Sequence, residues 1–276
     1  MNLESSVSVP SVQELAFQRP EKVPPRYIRD EDGDDVIGPY PSDPSLRVPL
    51  IDMAKLVNAD THQLELQKLL LACRDWGVFQ GVILHLIIRD TLERYSEDIR
   101  EVTIAIMKFI TMSLGLQDTQ ISESFREGLY DIRMNCYPPC PEPERVLGIV
   151  PHADNSGITL LLDFADFSGL QFLRDKTWLN VEPIEGAIVV NIGQIIEVMS
   201  NGIYKAPEHR AVVNKWKERF SIVTFCYPSP DTNIGPADEL IGEGKVAVYK
   251  KLTNAEYFSK FFNRKLDESF LDMLRI

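Results

Sequence analysis

Hydrophobic spacing changes character near the middle of the chain. Val48 to Asp52 is a short apolar run and predicts a strand. Leu64, Leu66, Leu69, Leu70 and Leu71 then predict a helix over about Thr61–Asp75, with a stop at Gly77 and a second strand at Val78–Gln80. A longer helix is predicted from about 90 to 115. Asp90 with Glu93 makes a capping-box-like start, Leu92, Tyr95, Ile99, Val102, Ile106, Phe109, Ile110 and Ser113 keep helical spacing, and Gly115 ends it. From Arg133 onward, short apolar or alternating runs are separated by turn residues. They are Arg133–Tyr137, Val146–Val150, Ile158–Leu162, Leu170–Leu173, Trp178–Val181, Ala187–Ile192, His209–Asn214 and Phe220–Tyr227. A recurrence of roughly ten residues is that of a β-sandwich or jelly roll. The tail returns to helix over Asn254–Leu266, with Phe258, Phe261 and Phe262 along one side.

This pattern divides the chain into an extended arm (1–47), a helical N-terminal region (48–127), a β-rich domain (128–230) and a helical tail (231–276). The arm holds Pro10, Pro20, Pro24, Pro25, Pro39, Pro41 and Pro44 and the acidic run 30–35, which leaves room for no more than a short helix near Ser11–Ala16. The expected class is α+β, mainly β with flanking helices.

Composition narrows the function. The 276 residues are 44% hydrophobic and 25% charged, an ordinary globular mixture, with a formal charge of −12. That balance argues against nucleic-acid or anionic-membrane partners, which demand a basic face. The longest apolar run, Gly81–Ile88, is interrupted by His85 and is too short to span a bilayer. The first sixteen residues lack the apolar core of a secretory signal. Cys73, Cys136, Cys140 and Cys226 make no disulfide framework and read as free thiols in a reducing compartment. The expectation is a cytoplasmic monomer acting on a small molecule.

The candidate chemistry lies in the β-rich part. His152 and Asp154 sit two apart in an extended segment and can present an imidazole and a carboxylate to one point. His209 opens a later strand. Two histidines and one carboxylate make the facial set that leaves open positions on Fe(II). Taken alone, His-x-Asp is as often a surface ion pair. Arg219 and Ser221 share one strand face, a planar fork and a hydroxyl suited to a carboxylate. An arginine in an apolar strand needs a counter-ion, either a protein carboxylate or a dicarboxylate ligand. Asn135 and Tyr137 share a face upstream, and Phe225 has the parity of Arg219 and Ser221, where core packing is the simpler role.

The ordered set His152-x-Asp154, His209, Arg219-x-Ser221, with Asn135-x-Tyr137 before it, resembles the plant 2-oxoglutarate- and Fe(II)-dependent dioxygenases. The strings MNCYPPCPEPERVLG, PHADNSGITLLL, SNGIYKAPEHRAVVN and ERFSIVTFCYP agree, as do VPLID and CRDWGVFQ. The chain is most similar to the senescence-related group, which also resembles flavonol and anthocyanidin synthases and alkaloid O-demethylases. The resemblance implies a distorted double-stranded β-helix with Fe(II) on His152, Asp154 and His209. Arg219 and Ser221 would grip the distal carboxylate of 2-oxoglutarate, with Tyr137 assisting and Asn135 supporting. O2 would be the second cosubstrate and ascorbate an auxiliary reductant. Oxidative decarboxylation would yield succinate and CO2 while a small, aromatic specialised metabolite is oxidised.

The chain departs from that family at one place. Trp76-Gly77-Val78-Phe79-Gln80 runs into GVILHLII and then directly into the long helix, so several tens of residues are missing after Gln80 and the N-terminal part is incomplete. His85 does not match the family's Asn-His-Gly histidine. Gln194 stands where relatives usually have an acid, and Ala153 where serine or threonine is common. Adjoining strands would be lost, leaving an unpaired sheet edge. Three readings follow: an active oxygenase, a catalytically silent shortened product that is unfolded or acts only as a binding protein, or an oxidase of the same fold that uses no 2-oxoglutarate.

Overall fold

The computed structural model describes residues 20–28, 47–82, 92–242, 244, 246–264 and 269–276. Twelve strands lie among them: β1 (Leu50–Asp52), β2 (Val78–Val82), β3 (Leu129–Tyr137), β4 (Leu147–His152), β5 (Ile158–Asp163), β6 (Leu170–Arg174), β7 (Thr177–Val181), β8 (Ala187–Ile192), β9 (His209–Val212), β10 (Arg219–Tyr227), β11 (Asn233–Ile234) and β12 (Leu252–Thr253). A six-stranded sheet has the order β1-β2-β8-β5-β10-β3, and a four-stranded sheet the order β4-β9-β6-β7. Pairing is antiparallel throughout except between β1 and β2.

The two sheets face one another across a small apolar interior. Val78, Leu161, Val189 and Val223 from the larger sheet meet Leu170, Phe172 and Val181 from the smaller. This is the expected jelly roll. Strand β5 is buried on both faces, which is why ITLLL reads as an unbroken apolar run rather than an alternating one. Its Ile158, Leu160 and Leu162 point outward into the second, larger core.

That core is closed by helix α3. Three helices precede the β-rich part: α1 (Met53–Val57), α2 (His62–Leu71) and α3 (Leu92–Ser113). The stripe Tyr95, Ile99, Val102, Ile106 and Ile110 on α3 buries against β5, β8 and β10. Each such side chain contributes roughly 1.5–3 kcal/mol. Helix α2 ends in a π turn at Ala72–Trp76, so the expected helix to Asp75 is continuous but changes its bonding in the last turn.

Three further helices, α4 (Gln194–Met199), α5 (Asn254–Asn263) and α6 (Phe270–Leu274), complete the fold. Neither α4 nor α6 is foreshadowed by periodicity, being only 6 and 5 residues long. The tail differs from a purely helical one because β11 pairs with β12 before α5 begins. Phe262 also departs from expectation. It is 76% exposed, while Phe258 and Phe261 turn toward the core, because one helical step from Phe261 rotates a side chain by about 100°. The strand from His209 stops at Val212, two residues early. The four cysteines are free. The expected helix at 11–16, Asp90, His85 and Leu266 fall outside the described residues. Among those described, no helix is long and apolar enough to cross a membrane.

Candidate metal and cosubstrate site

Strand pairing brings the two histidines together. In the antiparallel β4–β9 ladder, His152 lies directly opposite His209. The ladder slips twice between Leu147 and His152, and those irregularities re-aim the end of β4. The rings stand 4.3 Å apart between centroids, and Phe172 packs on His209 at 5.2 Å. Asp154 follows two residues beyond His152. One of its oxygens, Oδ1, lies 3.6 Å from each histidine Nε2. Ligand atoms of all three residues fall within 4.8 Å of one another.

The hydrogen bonds fix which nitrogen is free. His152 Nδ1 donates to the Val150 carbonyl at 2.8 Å, and His209 Nδ1 donates to that of Pro207 at 3.2 Å. A carbonyl only accepts, so the proton sits on Nδ1 in both rings and the Nε2 lone pairs face Asp154. Burial lowers the pKa of His209 below its ordinary value. Asp154 opposes that shift and His152 adds to it. The two imidazole Nε2 atoms and the carboxylate thus converge on one point, and at 3.6 Å they are not hydrogen-bonded to one another. Three electron-pair donors aimed at one point are a site for a divalent cation, and this N2O set fits iron.

The surroundings hold Asp154 in place. Its second oxygen, Oδ2, accepts from Asn191 Nδ2 at 3.2 Å, and its backbone carbonyl accepts from Gln194 N–H at the start of α4. Ser156 O accepts the next N–H of α4, from Ile195. Tyr257, on α5, donates to Asn155 Oδ1 at 2.6 Å. Asp154 is 4% exposed and His209 7%, while His152 is half-exposed and forms the open side.

A second polar group lies on the interior face of the larger sheet. Across β3, β10 and β5, Asn135 is opposite Ser221 and Ser221 is opposite Asp163. Two positions along, on the same face, Tyr137 is opposite Arg219. Asn135 Nδ2 reaches Ser221 Oγ at 3.5 Å. The Arg219 guanidinium lies over the Tyr137 ring at 5.2 Å and is 1% exposed. Burial raises the Tyr137 pKa, and Arg219 partly offsets the rise. Arg219 Nε and Nη2 both donate to Asp163 Oδ2, at 3.1 and 2.7 Å. The arginine therefore has a protein counter-ion. Gly169 makes room for it, since a Cβ there would sit 2.3 Å from Arg219 Cδ. Gly148 does the same for the Tyr137 ring.

Every candidate site residue from the sequence is thus found in one of two groups: His152, Asp154 and His209 in one, Asn135, Tyr137, Arg219 and Ser221 in the other. Phe225 follows Val223 on the same face, is half-buried against the interior cluster, and carries the Arg133 guanidinium at 5.0 Å. The sequence reading missed Asn191, Asp163, Tyr257 and Gly169. Of these only Asp163 had a signal, a charge closing an apolar strand.

Comparison with known proteins gives the class. A sequence model of the 2OG-Fe(II) oxygenase superfamily matches residues 130–228. The chain is 32% identical over 346 aligned residues to oxoglutarate-dependent flavonoid 7-O-demethylase 1 of Ocimum basilicum, spanning 98% of this chain and 92% of the relative. It is also 32% identical over 351 residues to protein SRG1 of Arabidopsis thaliana, spanning 99% and 98%. Among solved structures it matches JOX2 in complex with 2OG, Fe and JA, with TM-score 0.78, 26% identity and 98% of each chain covered. The chain belongs to the 2OG-Fe(II) oxygenase superfamily, among its plant dioxygenases. Since 346 aligned positions are set against 276 residues, at least 70 positions of the demethylase have no counterpart here.

Proposed function

We propose that this chain oxidises a small, flat organic metabolite with release of succinate and CO2, using His152, Asp154 and His209 to hold Fe(II). The convergence of the two Nε2 lone pairs and Asp154 Oδ1 carries this reading. Bound there, iron supplies oxygen activation coupled to decarboxylation of 2-oxoglutarate. The protein's part is positional. The Val150 and Pro207 carbonyls take the Nδ1 side of His152 and His209, which leaves Nε2 of each ring to the metal. Asn191 holds the second oxygen of Asp154 and leaves the first to the metal. Arg219 and Ser221 take the distal carboxylate of 2-oxoglutarate, with the Tyr137 hydroxyl beside them and Asn135 orienting Ser221. Phe225 offers an interior aromatic surface, and the flavonoid demethylase among the relatives supports a flat aromatic substrate.

The test is spectroscopic. Fe(II) and 2-oxoglutarate added anaerobically to the chain should give a visible metal-to-ligand charge-transfer band. His152→Ala should abolish it and Arg219→Ala weaken it. No band in folded wild-type protein would sink the assignment.

The chain's length favours a second reading, a catalytically impaired product that retains the site. The positions missing relative to the demethylase, and an N-terminal sheet edge formed by the three-residue β1, point to a less enclosed pocket. An open pocket admits water to a reaction that profits from its exclusion. Substrate-coupled succinate formation, measured beside a full-length relative, separates the two. Turnover comparable to the relative's would count against impairment.

A further inference from the structure

The Arg219 fork is already engaged by Asp163. Asp163 Oδ2 accepts from Nε and Nη2, while its Oδ1 accepts from the Ala165 backbone N–H at 3.2 Å. The carboxylate is therefore pinned from both sides. Its side chain is 9% exposed and that of Arg219 1%, so the pair is out of bulk solvent. A buried guanidinium without a counter-ion is strongly destabilising, and Asp163 removes that cost before any ligand arrives.

The same arrangement has an electrostatic consequence for a dianion. Asp163 uses the side-on edge of the guanidinium, Nε with Nη2. A second carboxylate would have to use the end-on edge, Nη1 with the second hydrogen of Nη2, beside the Tyr137 hydroxyl that already interacts with Arg219. Asp163 is also the ladder partner of Ser221. A distal carboxylate held by Arg219 and Ser221 would then lie close to the Asp163 carboxylate, in a region of low dielectric where like charges repel strongly.

We infer that Asp163 is a specificity-determining residue that stands in for the cosubstrate in the ligand-free chain and, by neutralising Arg219, weakens the hold on the distal carboxylate of 2-oxoglutarate. The inference rests on the assignment of Arg219 as the cosubstrate anchor. Asp163 sets two quantities of opposite sign. It stabilises the empty fold, and it raises the 2-oxoglutarate concentration needed to fill the site.

The experiment titrates the Fe(II)-loaded full chain anaerobically with 2-oxoglutarate, following the charge-transfer band, and measures thermal unfolding with and without the ligand. Asp163→Asn keeps an acceptor for Arg219 and removes the charge. It should bind 2-oxoglutarate about tenfold more tightly than wild type, unfold at a lower temperature when empty, and gain more from saturating ligand. An unchanged or weaker dissociation constant would overturn the inference. A measurement on wild type alone reads the same property if the variant does not fold. 2-Oxopentanoate keeps the keto-acid end and replaces the distal carboxylate by a methyl group. With Arg219 neutralised, it should bind within about tenfold of 2-oxoglutarate, and a gap above about a hundredfold would overturn the inference. If wild type gives no band, the cosubstrate assignment itself fails and this inference with it. If the band forms and weakens in Arg219→Ala but Asp163→Asn binds like wild type, only the role of Asp163 is refuted.

Discussion

Asn191 donates from Nδ2 to Asp154 Oδ2 at 3.2 Å, joining the end of β8 in one sheet to the loop that leaves β4 in the other. Both side chains are buried. The amide points the free Asp154 oxygen, Oδ1, at the two histidines.

Asn191→Ala should therefore loosen the metal without unfolding the sheet. Losing such an outer partner typically costs 10–100-fold in metal affinity. Anaerobic Fe(II) or Mn(II) titration should show weakening of about tenfold or more, with thermal unfolding of the metal-free chain near wild type. Unchanged affinity would place the control of Asp154 elsewhere.

Gly169→Ala tests the other half of the site. A methyl group at 2.3 Å from Arg219 Cδ and 2.7 Å from Nε must push the arginine aside. Overpacking of this kind costs about 1–3 kcal/mol, or roughly 5–150-fold when it falls on one binding interaction. Binding of 2-oxoglutarate should weaken by that range while binding of the metal alone is kept. Equal loss of both would mean a general collapse.

Tyr257→Phe removes the hydrogen bond to Asn155, the residue after Asp154. Asn155 is half-buried and can turn toward water, so the cost should be near 1 kcal/mol. Urea denaturation of the metal-free protein should report a drop of about that size.

Alkaline pH gives a signed prediction for the same residue. Burial, with a smaller contribution from Tyr227, holds the Tyr257 pKa well above 10. An unfolded tyrosine ionises near 10, so above that pH the unfolded state carries fewer protons than the folded one. The contribution to stability is fully present below pH 10 and is lost as pH rises toward the folded pKa. Burial acts in the same direction on Tyr204 and Tyr249. The urea midpoint should fall between pH 9 and 11, and less steeply in Tyr257→Phe. A parallel decline in both proteins would exclude Tyr257 as a contributor.

The β-rich half was legible because period-two alternation and turn residues bracket each strand, and parity alone aligned Arg219, Ser221, Val223 and Phe225. His152, Asp154 and His209 were legible as a set from their order, yet what makes them a site is the register of β4 on β9, which no local pattern encodes. Asp163 needed topology in the same way. It lies 56 residues from Arg219, and only the pairing of β5 with β10 brings them together. Asn191 looked like one more position of an apolar strand. Helix α4 went unseen because its six residues make fewer than two turns, too few to show a helical period, and Glu197 is buried along with Ile195, Ile196, Val198 and Met199.

The two polar groups belong to different sheets. The histidine ladder lies in the four-stranded sheet, while Arg219, Ser221, Tyr137, Asn135 and Asp163 line the six-stranded one. The packing of one sheet on the other, tied by the Asn191–Asp154 hydrogen bond, therefore sets the gap between the metal ligands and the cosubstrate anchor. The histidine ladder has its own pairing, independent of the β1–β2 edge of the six-stranded sheet. Iron occupancy would accordingly be a poor proxy for turnover, because the first reads the histidine ladder and its Asn191 tie while the second also needs the cosubstrate anchor at the right distance from them.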